Sequence, residues 1–152
     1  MEKIDKVIKI DKIMHIVALI IWLAVLIGII SITVYTEVHS GKTNNAEIII
    51  DNSTRFDEKE IDLAVQCVLK KFKRSYMDCE LITLKYDEKE SNFWINVDRM
   101  DLDNSIVLFA TFKVGETYDL GFSPNSTVRD WKFYLSREDK NGEWELESWG
   151  FL

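Results

Sequence analysis

Histidine is the scarcest catalytic resource here: two in 152 residues, His15 and His39. Neither falls in the folded domain expected downstream, so a Ser-His or Cys-His nucleophile there lacks its base. The two cysteines, Cys67 and Cys79, are too few for a disulfide scaffold and too far apart for a paired CxxC zinc site. The six glycines are scattered, and no Gly-rich phosphate loop exists. There is a single proline. Basic residues are outnumbered, 19 Lys+Arg against 26 Asp+Glu for a net of −7, which disfavours nucleic acid because phosphate must be neutralised by cations. No cofactor is expected.

What the chain does have is one long apolar run. Ile13 to Thr36 are 24 residues without Asp, Glu, Lys or Arg. As a helix they extend ~36 Å, enough to cross a ~30 Å hydrocarbon core. The run carries no polar stripe, is longer than a cleaved leader's apolar region, and is followed by no A-x-A pattern or nearby cysteine. It therefore reads as an uncleaved anchor. Before it, Lys3, Lys6, Lys9 and Lys12 recur every three residues, whereas residues 36–47 carry only Lys42. Lysine collects on the cytoplasmic side, so the expected topology is single-pass, N-terminus cytoplasmic and C-terminal part outside. The plan is a tail over 1–12, with the spacing of an interfacial helix, a transmembrane helix over 13–36, a polar linker over 37–47 and a domain over 48–152.

Within that domain Asp57 and Glu60 form an acidic capping box with Phe56 as a staple. Ile61, Ala64 or Val65, Val68, Leu69 and Phe72 then recur at helical spacing. Lys70, Lys71, Lys73 and Arg74 close that helix. They read either as charge complementing its exposed carbonyls or as a basic patch for an anionic ligand. Afterwards the period becomes two. Ile82, Leu84 and Tyr86 share one face of a strand, and Ser105 to Val114 is apolar on both faces, as in a strand covered twice. Trp131, Phe133 and Leu135 alternate with polar residues up to Asn141-Gly142, a hairpin signal, and Trp144 and Leu146 alternate with Glu143, Glu145 and Glu147. Residues 87–100 read as a short helix. The fold class is α+β, one main helix packed on a curved, mostly antiparallel sheet. That order of elements is compatible with nuclear-transport-factor-like and cystatin-like domains, among other α+β sandwiches.

The helix AVQCVLKKFK, the strand CELITLKYDE, the apolar SIVLFATF and above all FSPNSTVRDWKFYLSREDKNGEWELESWGF together resemble a family of bacterial domains. That family occurs mainly in Firmicutes, in lipoproteins and single-span membrane proteins. The likeness covers roughly residues 56–151 and is most specific from Asn125 to Trp149. The family carries no activity or ligand, so the resemblance bears on location and fold. The chain departs from the lipoprotein members in its spanning helix and in a shortened stretch at 91–95.

Few residues stand out as chemistry. Paired carboxylates are plentiful, but Glu143, Glu145 and Glu147 share a strand face that solvation explains. Asp98, Asp101, Asp103 and Asn104 crowd together, yet a calcium loop counted from Asp101 would need Gly and Glu where Ile106 and Phe112 stand. No catalytic or metal residue is assigned, and the chain is not read as an enzyme. Cys67 and Cys79 could form a disulfide outside the cell or remain free buried thiols. Asn52-Ser53-Thr54 and Asn125-Ser126-Thr127 match glycosylation sequons, but in a bacterial chain they read as turns. Aromatic density is the best clue to a site: Trp94, Trp131, Trp144, Trp149, Tyr118 and Tyr134 lie in one stretch, and most of them must be core. If the sheet curls into a cone, Tyr134, Trp94 and Trp149 are the candidate ligand-binding residues. The expected partners are the membrane lipid bilayer together with envelope proteins or a small ligand. Three readings stay open: a displayed binding domain, an enzyme of nuclear-transport-factor-like fold using acidic residues, and an accessory subunit of a membrane complex.

Overall fold

The computed structural model describes residues 2–51, 53–116 and 121–151, with side-chain detail from residue 14 onward. The chain divides into two compact units at His39/Ser40. The first is a single helix, α1 (Glu2–His39). Its segment Met14–His39 is long and apolar enough to cross a membrane, and none of it is buried. One helix runs through the tail and the apolar segment, because nothing in Glu2–Lys12 interrupts helical hydrogen bonding: no Gly, no Pro.

The second unit is α+β. Its elements run β1 (Glu47–Ile50), α2 (Glu58–Ser75), β2 (Glu80–Tyr86), α3 (Glu88–Val97), β3 (Ser105–Lys113), β4 (Thr127–Ser136) and β5 (Glu145–Gly150). The five strands form one open sheet in the order β1-β2-β3-β4-β5, parallel between β1 and β2 and antiparallel elsewhere. α2 starts where expected. The Asp57 side chain accepts from Glu60 N, the Glu60 side chain accepts from Asp57 N, and Phe56 is buried beside them.

β3 is sandwiched. Ile106, Leu108 and Ala110 join the main core with Phe72, Phe112, Phe133 and Leu135 under α2. Val107 and Phe109 point the other way and pack with Ile95 of α3 and Tyr134. One helix therefore covers each face of the sheet, and the continuous apolar run of β3 is its consequence.

Three sequence expectations fail on local geometry. The linker is shorter than 37–47: Gly41 N donates to Lys73 O at 3.1 Å and Lys42 N to Cys79 O at 2.8 Å, so the domain takes up the chain at Gly41. In β2 the register shifts between Leu81 and Thr83, which leaves Leu81 buried and Ile82 exposed. The β4–β5 connection is not a two-residue hairpin, since Ser136 already faces Glu145 across an intervening 137–144 loop. Gly142 N donates to Asp139 O at 3.0 Å and Asn141 N to Asp139 Oδ1 at 2.7 Å. The Asn-Gly pair thus ends an Asp-led turn inside a longer loop.

Candidate functional site

The end of the sheet formed by the start of β3, the end of β4 and the start of β5 carries a cleft of about 460 Å³. Asp98, Met100, Asp101, Asn104, Arg137 and Glu147 line it together with three serines. A second cavity of about 370 Å³ adjoins it, sharing Ser136, Arg137 and Glu147 and adding Glu138, Glu143 and Glu145.

Each wall has a local cause. α3 ends because Arg99 takes a left-handed conformation (φ 57°), and Met100 N then reaches back to Ile95 O at 2.9 Å. This releases Asp98 and Met100 to the rim. Asp101 folds the next loop on itself, accepting from Asp103 N at 3.1 Å and from Asn104 Nδ2 at 2.9 Å. The acidic crowd at 98–104 is thus partly a self-capped loop. Asn104 O then accepts from Arg137 N at 2.9 Å, fixing where β4 gives way to the 137–144 loop.

Arg137 is the centre of the site. Its side chain is only 4% exposed and lies 2.9 Å from Glu60 Oε1. The guanidinium sits 4.6 Å over the Trp144 ring and 5.3 Å over Phe56. Its Nε has no hydrogen-bond partner among the described residues. Glu60 therefore serves twice, one oxygen closing the α2 capping box and the other holding Arg137. Hydrogen bonding to the Asp57 backbone, followed by Arg137, outweighs desolvation and holds the Glu60 carboxyl below its ordinary pKa. Trp144 is itself pinned by Nε1 donating to Glu60 O at 2.9 Å.

The three aromatic candidates do not meet. Tyr134 is buried under α3, and Trp94 packs half-buried on the same cluster with Lys132 Nζ 3.9 Å over its ring. Trp149 faces the α2 side instead, opposite Phe133 in the register, with Lys71 Nζ 4.1 Å over its ring. Strand alternation separates them, because residues 133 and 134 point to opposite faces. The sheet is open, so there is no cone mouth for them to line. The Tyr134 hydroxyl is buried, with the Asp98 carboxylate as its polar neighbour. Burial first, and the Asp98 carboxylate second, push its pKa upward. The expectation for Tyr118 lies outside the described residues.

Cys67 and Cys79 are free thiols, Cys79 buried in the main core and Cys67 half-buried against it. Burial raises the pKa of both. The Asn125 tripeptide forms a turn in which Ser126 Oγ donates to Ser123 O at 2.6 Å. Asn52 is outside the described residues, but Ser53 and Thr54 belong to a clasp that sequence inspection missed. The Glu88 carboxylate accepts from Ser53 Oγ at 2.8 Å, Thr54 N at 2.6 Å, Thr54 Oγ1 at 2.7 Å and Arg55 N at 3.1 Å. Arg55 in turn binds Asn92 and donates to Ser105 O.

Desolvation alone would raise the Glu88 pKa, but these hydrogen bonds outweigh it and bring it from 4.5 to about 2. A depressed carboxylate stabilises fully above its unfolded pKa, and the contribution is lost as pH falls through its folded pKa. Glu88→Gln is therefore expected to cost about 1–3 kcal/mol at neutral pH. The gap from wild type should shrink as pH drops from 4.5 towards 2. Urea melts at neutral pH and in acid measure both, and a gap that does not change with pH contradicts the assignment.

Arg137 and Glu60 were not legible as a pair, being 77 positions apart in sequence. The one available signal was a lone arginine directly after an apolar strand. Comparison with known proteins gives no relative: no family model, curated protein or solved structure matches the chain.

Proposed function

We propose that this chain is a single-pass membrane protein holding a small binding domain outside the cytoplasm, and that the cleft beside Arg137 receives a cationic, amine-bearing ligand. The observation that carries the ligand class is the charge arrangement. Arg137, the one cation among the residues lining the two cavities, is buried and already paired with Glu60, while Asp98, Asp101 and Glu147 in the first and Glu138, Glu143 and Glu145 in the second leave the lining net negative, Glu147 also accepting from Ser136 Oγ. Clefts of this size accept small molecules or a protruding side chain. An ammonium group, free or on a basic segment of an envelope protein, fits that rim. The reading is of binding; no histidine lines either cavity to serve as the base of a Ser-His or Cys-His pair.

The membrane placement draws on the apolar length of Met14–His39 and on the lysines ahead of it. The bacterial envelope setting draws on the Firmicute family resemblance. Titrating spermidine into the full chain in a non-ionic detergent tests the cleft. Saturable binding that weakens as salt rises is expected. Glu147→Gln, at an exposed position, should weaken it about tenfold, the loss of one charge-assisted hydrogen bond. Unsaturable binding, or an unchanged affinity in the variant, removes the cleft from the account.

A further inference from the structure

We propose that the end of the domain opposite the acidic cleft is a docking surface for anionic phospholipid headgroups, an inference that rests on the membrane reading above. That end is assembled from the C-terminus of α2, the start of β2, the end of β3 and the start of β4. Glu80 pairs with Lys113 and Lys113 with Thr127 in the register, and Trp131 Nε1 donates to Tyr76 Oη at 2.8 Å.

Two independent features coincide there. The first is charge. Lys70, Lys73 and Arg74 are exposed on the last turns of α2, joined by Lys42, Lys113 and Arg129. None of these six forms an ion pair among the described residues. Lys71 is the exception in the helix cluster, drawn onto the Trp149 ring. Among the described residues Asp78, Glu80, Glu116 and Asp130 are the acids at this end, with Glu47 at the start of the adjoining β1, five acids against these six cations and Lys71. Phe151, 59% exposed and 5.0 Å edge-on to Trp131, adds an apolar ring of the kind that interfacial segments bury at the headgroup–acyl boundary. Helix-end complementarity accounts for the last-turn Lys73 and Arg74, but not for Lys42, Lys113 and Arg129 on other elements.

The second feature is where the chain enters. Gly41 is hydrogen-bonded to Lys73 O, and a Cβ at this position would lie 2.4 Å from Phe72 O, so the backbone is held against the basic helix end. Only Ser40 stands between Gly41 and the last residue of α1. Two residues of chain reach at most about 7 Å. If Met14–His39 crosses a bilayer, covalent geometry keeps Gly41, and the basic helix end bonded to it, within that reach of the last residue of the span. Each Lys or Arg near an anionic surface gains about 1 kcal/mol, a factor of about five.

The test uses the full chain in lipid nanodiscs of phosphatidylcholine alone or mixed with phosphatidylglycerol. Exposed lysines are acylated and counted by mass spectrometry. Lys70 and Lys73 are expected to react about fivefold more slowly in the anionic discs, as one unit of surface attraction implies. Lys140, in the 137–144 loop at the other end, should react equally in both. High salt should abolish the difference. Equal reactivity of Lys73 in the two lipids, or equal protection of Lys140, overturns the docking surface while leaving the anchor intact. A chain that does not enter the discs at all overturns the membrane reading instead.

Discussion

Replacing Phe133 with alanine is expected to destabilise the domain by about 3–5 kcal/mol, the range for truncating a buried aromatic ring. Phe133 is fully buried in the main core and meets the Tyr76 ring at 5.8 Å, edge to face. Nothing near it can collapse into the gap cheaply, because Tyr76 is held by Trp131 on one side and stacked on Phe72 at 4.6 Å on the other. Set against a stability of ~5–15 kcal/mol for a whole domain, the loss leaves little cooperative unfolding. Urea denaturation of residues 40–152 measures it. Glu145→Gln, exposed on the adjoining strand, should shift stability by less than about 0.5 kcal/mol. Equal sensitivity at the two positions would mean that the strand faces are reversed.

Trp144→Ala is expected to cost about 3–5 kcal/mol as well, but with a second consequence that Phe133→Ala lacks. The indole is 7% exposed, packs edge-on to Phe56 at 5.4 Å, and forms one face of the slot that holds Arg137. Its removal frees the guanidinium as well as opening the core. Spermidine binding should therefore fall in Trp144→Ala at temperatures where the domain is still folded, and should survive in Phe133→Ala under the same condition. Loss of binding in both variants in proportion to stability alone would leave Arg137 without a positioning role.

The parts of the fold that could be read in advance were those with a local cause. Asp57 and Glu60 set the start of α2 within one turn of sequence, and β3 announced its two covers by being apolar on both faces. The parts that could not be read depend on distant backbone. β1 is four residues long and exists through parallel pairing with β2, some 36 positions on. Gly41 and Lys42 look like linker, yet the strand-like bonds of Lys42 to Cys79 and Leu81 place them in the domain. Ile82 obeys the alternation rule in sequence and breaks it in the sheet, because a register shift beside it turns the side chain out. The site shows the same division. Glu147 and the 98–104 acids were visible as groups, but their convergence on Arg137 required α2, α3 and the β4–β5 loop to be assembled first.

The most direct test of the central claim is sidedness. Single cysteines introduced at Asn44 and at Lys6, in a background with Cys67 and Cys79 replaced by serine and alanine, are exposed to a membrane-impermeant thiol reagent on intact cells. Labelling at position 44 without labelling at position 6 until the cells are opened is the expected result. Labelling at 6 alone would place the α+β domain in the cytoplasm, and recovery of the chain in the soluble fraction would show that Met14–His39 does not anchor it.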